Sequence, residues 1–210
     1  MNSQLKYIEY VAEFAKSNKI HIWLGGSFLN GNATSFSDVD ISVFCCRGKL
    51  NDFIYGYGEP VYISYTSNPL GILIVIYADG VAVDLEIVEK VDVEDGVYFH
   101  REDIKKLRYI REEKLCRKFA INNDISYQIS RLFHRSLIKF LAGKKNIGVV
   151  IANEIVTFME LTDLVNENDY KAKFIELMKI YDERYGFQNG YYKLLCELIE
   201  KLDKTECVLM

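Results

Sequence analysis

The stretch that most constrains the fold of this chain joins a pair of glycines to a pair of closely spaced aspartates. Gly25 and Gly26 end one apolar run, and Asp38 and Asp40 begin another. Side chains alternate along a strand, so two carboxylates separated by one residue point to the same face. Like charges this close need solvent or a shared cation, because an unpaired buried charge is very costly. The pattern predicts two strands joined by a turn, with a cation site beside the turn.

The glycine pair predicts a turn that binds phosphate. Glycine lets the backbone come close to a ligand, and Ser27 stands where a helix N-cap is expected. Backbone N–H groups at such a helix start bind phosphate, whereas carboxylate oxygens are the ligands that Mg²⁺ prefers. An anion site next to a divalent-cation site suits a metal-bound nucleoside triphosphate.

Two further carboxylates lie on a later predicted strand, residues 81–88. Its odd-numbered positions are all apolar, whereas Asp84 and Glu86 share the opposite face. Asp79-Gly80 separates this run from the apolar run 71–77, and Asp-Gly between such runs is a strong hairpin signal. The sequence therefore predicts a hairpin whose second strand carries acidic side chains on one face.

These residues resemble the nucleotidyltransferase superfamily to which DNA polymerase β and the aminoglycoside and lincosamide nucleotidyltransferases belong. The matching segments are Leu24-Gly25-Gly26-Ser27 and Ser37-Asp38-Val39-Asp40-Ile41. The family has a third carboxylate between hydrophobic residues on a later strand; Asp84 matches it better, and Glu86 is the reserve candidate. The resemblance implies the catalytic residues Asp38, Asp40 and Asp84. It implies ligands for two Mg²⁺ ions at Asp38, Asp40, Asp84 and Glu86, and contacts to ATP from Gly25, Gly26, Ser27 and Ser37.

The resemblance also implies the fold class, an α/β (α+β) nucleotidyltransferase fold with a mixed β-sheet. Periodicity places this domain at residues 1–96 and an all-α helical bundle at 97–210, because the apolar period changes from two to nearly four near Gly96. The predicted helices of the first domain are 3–16 and a brief one within 27–34, and its predicted strands are 20–24, 39–45, 61–65, 71–77 and 81–88. The predicted bundle helices are 101–119, 124–142 with Asp124 as N-cap, 147–165, 168–184 and 191–203.

Composition narrows the classes of partner. The chain has 30 acidic and 26 basic residues, a net charge of −4, which argues against nucleic acid and for a small or cationic substrate. The longest apolar run, 70–78, is too short to span a membrane, and the N-terminus lacks the apolar core of a signal peptide. Five scattered cysteines without a C-x-x-C pair are typical of reduced thiols. We therefore expect a cytoplasmic protein.

The expected function is transfer of a nucleoside monophosphate, AMP from ATP, to a hydroxyl of a small molecule. In families that look like this, the acceptor is commonly an aminoglycoside or lincosamide antibiotic. Two alternatives stay open at this stage: an enzyme like the antitoxins that AMPylate a protein, and a noncatalytic nucleotide-binding module. The sequence leaves open the acceptor, the nucleotide preference, the general base and whether the chain forms a homodimer.

Overall fold

A computed structural model describes residues 2–44, 49–66, 72–88, 90–91, 109–110 and 124–206. The chain divides into two compact units, residues 1–121 and 122–210. The predicted change of architecture at Gly96 lies outside the described residues, so the domain boundary placed there stays a prediction. Among the described helices, none is both long enough and apolar enough to cross a membrane.

The first unit contains a mixed sheet with helices, as the sequence predicts. Its helices are α1 (Asn2–Asn18), α2 (Gly26–Asn30) and α3 (Leu50–Tyr55). Its main strands are β1 (His21–Leu24), β2 (Val39–Phe44), β3 (Pro60–Tyr65), β4 (Leu73–Tyr77) and β5 (Ala82–Val88). The strands form one sheet in the order β1-β2-β5-β4-β3. The β2–β5 pair is parallel and the other three pairs are antiparallel.

One face of this sheet forms the core of the first unit. Alternate residues of the strands, including Ile41 and Val83, belong to the same buried cluster as Val11 of α1 and Phe53 of α3. The alternation predicted for β5 is confirmed, because Val83 and Leu85 are buried in this cluster. The other face carries the polar side chains of β2 and β5 beside buried apolar residues of the neighbouring strands, such as Trp23, Ile74 and Ile76.

The hairpin predicted at Asp79-Gly80 joins β4 to β5 as an antiparallel pair. Gly80 has φ 86°, a left-handed conformation that glycine adopts without strain. The Asp79 carboxylate accepts a hydrogen bond from the Val81 N–H at 3.2 Å. The predicted Asp-Gly turn is therefore confirmed, with Gly80 in the left-handed conformation and Asp79 bonded to the backbone of the turn.

The helix predicted over 101–119 is wrong at the two positions in this range that the structure describes. Tyr109–Ile110 is a short strand, β7, which pairs antiparallel with β6, Lys90–Val91. Aromatic and β-branched residues favour strands, and cross-strand pairing overrides the helical period of the flanking charges. The rest of the predicted helix lies outside the described residues.

The second unit is helical, as predicted. Its elements are α4 (Ile125–Leu141), α5 (Lys145–Phe158), a 3-10 helix (Glu167–Asp169), α6 (Tyr170–Tyr185) and α7 (Asn189–Glu206). The predicted N-cap of α4 is confirmed, because the Asp124 carboxylate accepts hydrogen bonds from the Ser126 hydroxyl at 2.7 Å and N–H at 2.9 Å. These two bonds hold the pKa of Asp124 below its usual value.

The third bundle helix ends earlier than the sequence predicts, at Phe158 rather than at residue 165. Glu160 has φ 55°, and this left-handed residue reverses the chain. The Asn153 side chain then donates to the Val165 carbonyl at 3.0 Å and accepts from the Val165 N–H at 2.8 Å. This side-chain bridge holds the segment after α5 against the helix. The period of the apolar residues alone does not indicate this early end of the helix.

Close packing of α4 against α5 depends on Gly148, and we expect Gly148→Ala to destabilise the protein. A Cβ there would lie 2.8 Å from Phe140 Cβ and 3.0 Å from the Ser136 carbonyl oxygen. Overpacking of this kind costs about 1–3 kcal/mol, more than the ~1 kcal/mol that alanine gains in a helix. Urea unfolding followed by circular dichroism measures the difference. The exposed Asn146→Ala in the same helix is the control, and a Gly148→Ala protein more stable than wild type would contradict the expectation.

Candidate active site

The parallel β2–β5 pair brings two of the predicted site residues together. Asp40 and Asp84 are direct partners across this pair, and each is half-buried. Neighbouring strands lie about 4.8 Å apart, and directly paired residues point to the same face. The two carboxylates therefore stand side by side on the same face of the sheet.

The glycine turn packs directly on Asp40. The Gly25 N–H donates to the Asp40 carbonyl oxygen at 2.8 Å. Gly26 has φ 55°, and a Cβ on it would lie 2.5 Å from Asp40 Cγ and would overlap a carboxylate oxygen. Gly26 is itself exposed, so its backbone is accessible from solvent. The two motifs that the sequence singles out are thus one structure, an open turn beside a carboxylate.

The prediction that Ser27 is a helix N-cap is wrong. Helix α2 begins at Gly26, and its N-cap is Gly25, which has extended backbone angles (φ −118°, ψ −163°) and makes no side-chain cap. The left-handed φ of Gly26 lets the chain turn into the helix two residues earlier than a serine cap at position 27 would. Ser27 therefore lies in the first turn of the helix.

Ser37 and Asp38 lie just before β2, not within it, and both are half-buried. The Ser37 hydroxyl accepts a hydrogen bond from the Thr34 N–H at 2.9 Å, and the Ser37 N–H donates to the Thr34 carbonyl at 3.2 Å. Ser37 therefore closes the turn that leads into the strand. The strand alternation used to group Asp38 with Asp40 begins one residue later, at Val39.

Glu86 is the most buried of the predicted carboxylates, with 9% of its surface exposed. It is the direct partner of Ser42 across the β2–β5 pair. The Ser42 hydroxyl donates to Glu86 Oε2 at 2.8 Å. The sequence reasoning missed Ser42, although its position two residues after Asp40 places it on the same face of the strand.

The donor set fits magnesium better than a metal that needs an all-protein cage. In the parts of the chain that the structure describes, three or more His, Cys, Asp or Glu side chains do not come together as a metal site. Mg²⁺ usually takes one or two protein carboxylates and fills its other positions with water and phosphate oxygens. Asp40 and Asp84 are two such carboxylates, and they lie next to the turn formed by Gly25 and Gly26.

Comparison with known protein families identifies the family of this chain. A family model described as a nucleotidyltransferase domain matches residues 6–139, about two thirds of the chain. The match begins in α1, covers the whole five-stranded sheet and ends within α4. The comparison with curated proteins finds no match.

Proposed function

Because the chain belongs to the nucleotidyltransferase domain family and is an enzyme of that class, we propose that it transfers AMP from ATP to a hydroxyl of a small molecule. One observation carries the proposal: the turn at Gly25 and Gly26 packs on Asp40, and Asp40 stands beside Asp84. An exposed glycine backbone next to adjacent carboxylates suits a triphosphate that arrives with its metal ion. The family match covers all of these residues.

We assign the metal-binding role to Asp40 and Asp84, which are direct partners across the β2–β5 pair, and propose that Asp38 joins them when the ion binds, with Glu86 as the reserve ligand. When bound, two Mg²⁺ ions would stabilise the charge that develops on the attacking and leaving oxygens. Asp84 accepts the proton of the acceptor hydroxyl in this proposal. The hydroxyl oxygen forms a bond to the α-phosphorus while the bond from that phosphorus to the pyrophosphate oxygen breaks.

The remaining site residues bind and orient the nucleotide. The backbone of Gly25 and Gly26 approaches the phosphates, because neither residue has a side chain that would block them. Ser27 supplies its N–H and hydroxyl groups, and Ser37 supplies its hydroxyl group, at either end of the connection between β1 and β2. For the acceptor we propose an aminoglycoside or lincosamide antibiotic, and the acidic excess of the chain suits a polycationic aminoglycoside.

The test is incubation with ATP labelled at the α-phosphate, Mg²⁺ and a panel of antibiotics, followed by mass spectrometry of each acceptor. A gain in mass of one AMP group on a small molecule, with release of pyrophosphate, supports the proposal. Label that appears on a protein in cell extract would favour the AMPylating alternative. Nucleotide binding without transfer to any molecule would favour a noncatalytic module.

We expect Gly26→Ala to lower the transfer rate by about 100-fold, because misplacing a reacting group by about 1 Å costs that much. The added methyl overlaps the Asp40 carboxylate and must displace it. Gly143→Ala is a matched control: Gly143 also has a left-handed φ, 81°, but an added Cβ there has nothing within 4 Å. Steady-state rates of both variants separate the contact from backbone strain. Equal rates in the two variants would mean that Gly26 serves only as a turn residue.

A further inference from the structure

A third carboxylate lies on the sheet face that carries Asp40 and Asp84. Alternate residues of a strand share a face, so Glu86 follows Asp84 on that face, about 6.6 Å further along β5. Among the residues that the structure describes, these carboxylates nevertheless do not form a three-ligand metal site. A local contact therefore decides whether Glu86 joins the other two.

The Ser42 hydroxyl is the contact that sets Glu86 apart. Ser42 is the direct partner of Glu86 across the β2–β5 pair, and its hydroxyl donates to Glu86 Oε2 at 2.8 Å. Glu86 is 9% exposed, whereas Asp40 and Asp84 are half-buried. A hydrogen bond with little access to water is electrostatically stronger than one in solvent. Ser42 therefore holds the Glu86 carboxylate at its own strand pair, one pair beyond Asp40 and Asp84.

We propose that Ser42 is a positioning residue that makes the site prefer Mg²⁺ to Ca²⁺, because it withholds the Glu86 carboxylate from the bound ion. Mg²⁺ usually takes one or two protein carboxylates and keeps several waters, whereas Ca²⁺ takes more oxygen ligands in a flexible geometry. Withholding a carboxylate therefore costs Ca²⁺ more than Mg²⁺. This inference rests on the proposed function, since it requires that Asp40 and Asp84 bind the ion.

Calorimetric titration of Mg²⁺ and of Ca²⁺ tests the inference without turnover. Each ion is titrated separately into the full chain with the non-cleavable analogue α,β-methylene-ATP, and the same titration without protein is subtracted. In Ser42→Ala the Glu86 carboxylate loses its hydroxyl donor and is released toward the ion. We expect the affinity for Ca²⁺ to rise about tenfold relative to that for Mg²⁺, because ligand number sets the selectivity between the two ions. An unchanged ratio of the two affinities would overturn the inference.

Two serine variants are the controls. Ser42→Thr keeps a hydroxyl at position 42 and should keep the wild-type ratio of affinities. Ser64 of β3 lies on the same face of the sheet, but its hydroxyl donates to the Tyr65 carbonyl at 3.2 Å. Ser64→Ala should therefore also keep the wild-type ratio. A shift in either control as large as that in Ser42→Ala would contradict a specific role of the Ser42 hydroxyl.

The fluorescence of Trp23 verifies that the sheet around position 42 is intact in each variant. Trp23 is the only tryptophan of the chain, is 7% exposed and is the direct partner of Ser42 across the β1–β2 pair. An unchanged emission maximum shows that a shift in metal preference does not come from local unfolding.

A double variant tests whether Ser42 acts through Glu86. In a Glu86→Gln background, Ser42→Ala should leave the ratio of affinities unchanged, because the amide has no charge to attract the ion. A full shift in that background would overturn the inference.

The titrations need no acceptor, so they separate this inference from the proposed function. Normal Mg²⁺ binding with an unchanged ratio in Ser42→Ala would contradict the inference alone. Normal Mg²⁺ binding without AMP transfer to any small molecule would contradict the proposed function alone. A wild-type protein that binds neither ion in the presence of the analogue would overturn both.

Discussion

Replacing Asp40 with Asn should lower the rate of nucleotidyl transfer by about 1,000-fold or more, the scale of losing a group that stabilises transition-state charge. Asparagine keeps the shape of the side chain, so the packing of Gly26 against position 40 remains. The substitution removes only the negative charge and one carboxylate oxygen. Calorimetry of Mg²⁺-ATP binding and steady-state rates measure the loss.

Asp52→Asn is the control for the Asp40 experiment. Asp52 lies in α3, where its side chain is 63% exposed and stands 3.8 Å from the Lys49 ammonium group. An exposed ion pair of this kind contributes little, so this variant should retain the wild-type rate. Unchanged Mg²⁺-ATP affinity together with unchanged turnover in Asp40→Asn would remove the central claim of the proposed function.

The second large effect is expected at Asp84. Asp84→Asn should lose about 1,000-fold in turnover, on the same scale as Asp40, whereas Glu86→Gln should lose about tenfold or less. Asp84 is the direct neighbour of Asp40 and is half-buried, so its carboxylate can reach a bound ion. Glu86 lies one pair further along the strand face, is almost fully buried and accepts a hydrogen bond from Ser42. We therefore expect Glu86 to be a supporting residue of the site and not a metal ligand.

Measuring both carboxylate variants in one assay separates a ligand from a supporting residue. Loss of a group that acts only in the transition state lowers kcat and kcat/KM together. Ser42→Ala adds a third comparison, because it removes the hydroxyl that donates to Glu86 and leaves both carboxylates in place. If Glu86→Gln is the inactive variant and Asp84→Asn keeps most of its rate, the third carboxylate is Glu86.

Much of the architecture could be predicted because the relevant rules are local. The alternation of β5 depends on period-two burial, and the β4–β5 turn on the conformational freedom of Gly80. The start of α4 depends on the short side chain of Asp124, which reaches the N–H group two residues later. Each of these features involves residues that are close together in the sequence.

The failures arise where residues that are distant along the chain decide the local conformation. The turn into α2 is fixed by packing on Asp40, so Gly25 takes the cap position that local preference gives to Ser27. The strand at Tyr109 exists because Lys90–Val91 pairs with it. No pattern within a single helix or strand contains that information.

The parallel pairing of β2 with β5 also determines when Asp40 and Asp84 come together during folding. Ser42 and Glu86, which face each other across this pair, are 44 residues apart in the sequence. The antiparallel pairs β1–β2 and β4–β5 each join two strands that follow one another along the chain. The loops between them are short, and short loops close fast. The parallel pair must close a much longer loop. The entropy cost of closing that loop opposes the pairing until contacts with the other strands of the sheet offset it. In the proposed function, catalytic competence therefore requires the completed sheet, because neither of these antiparallel pairs contains both Asp40 and Asp84.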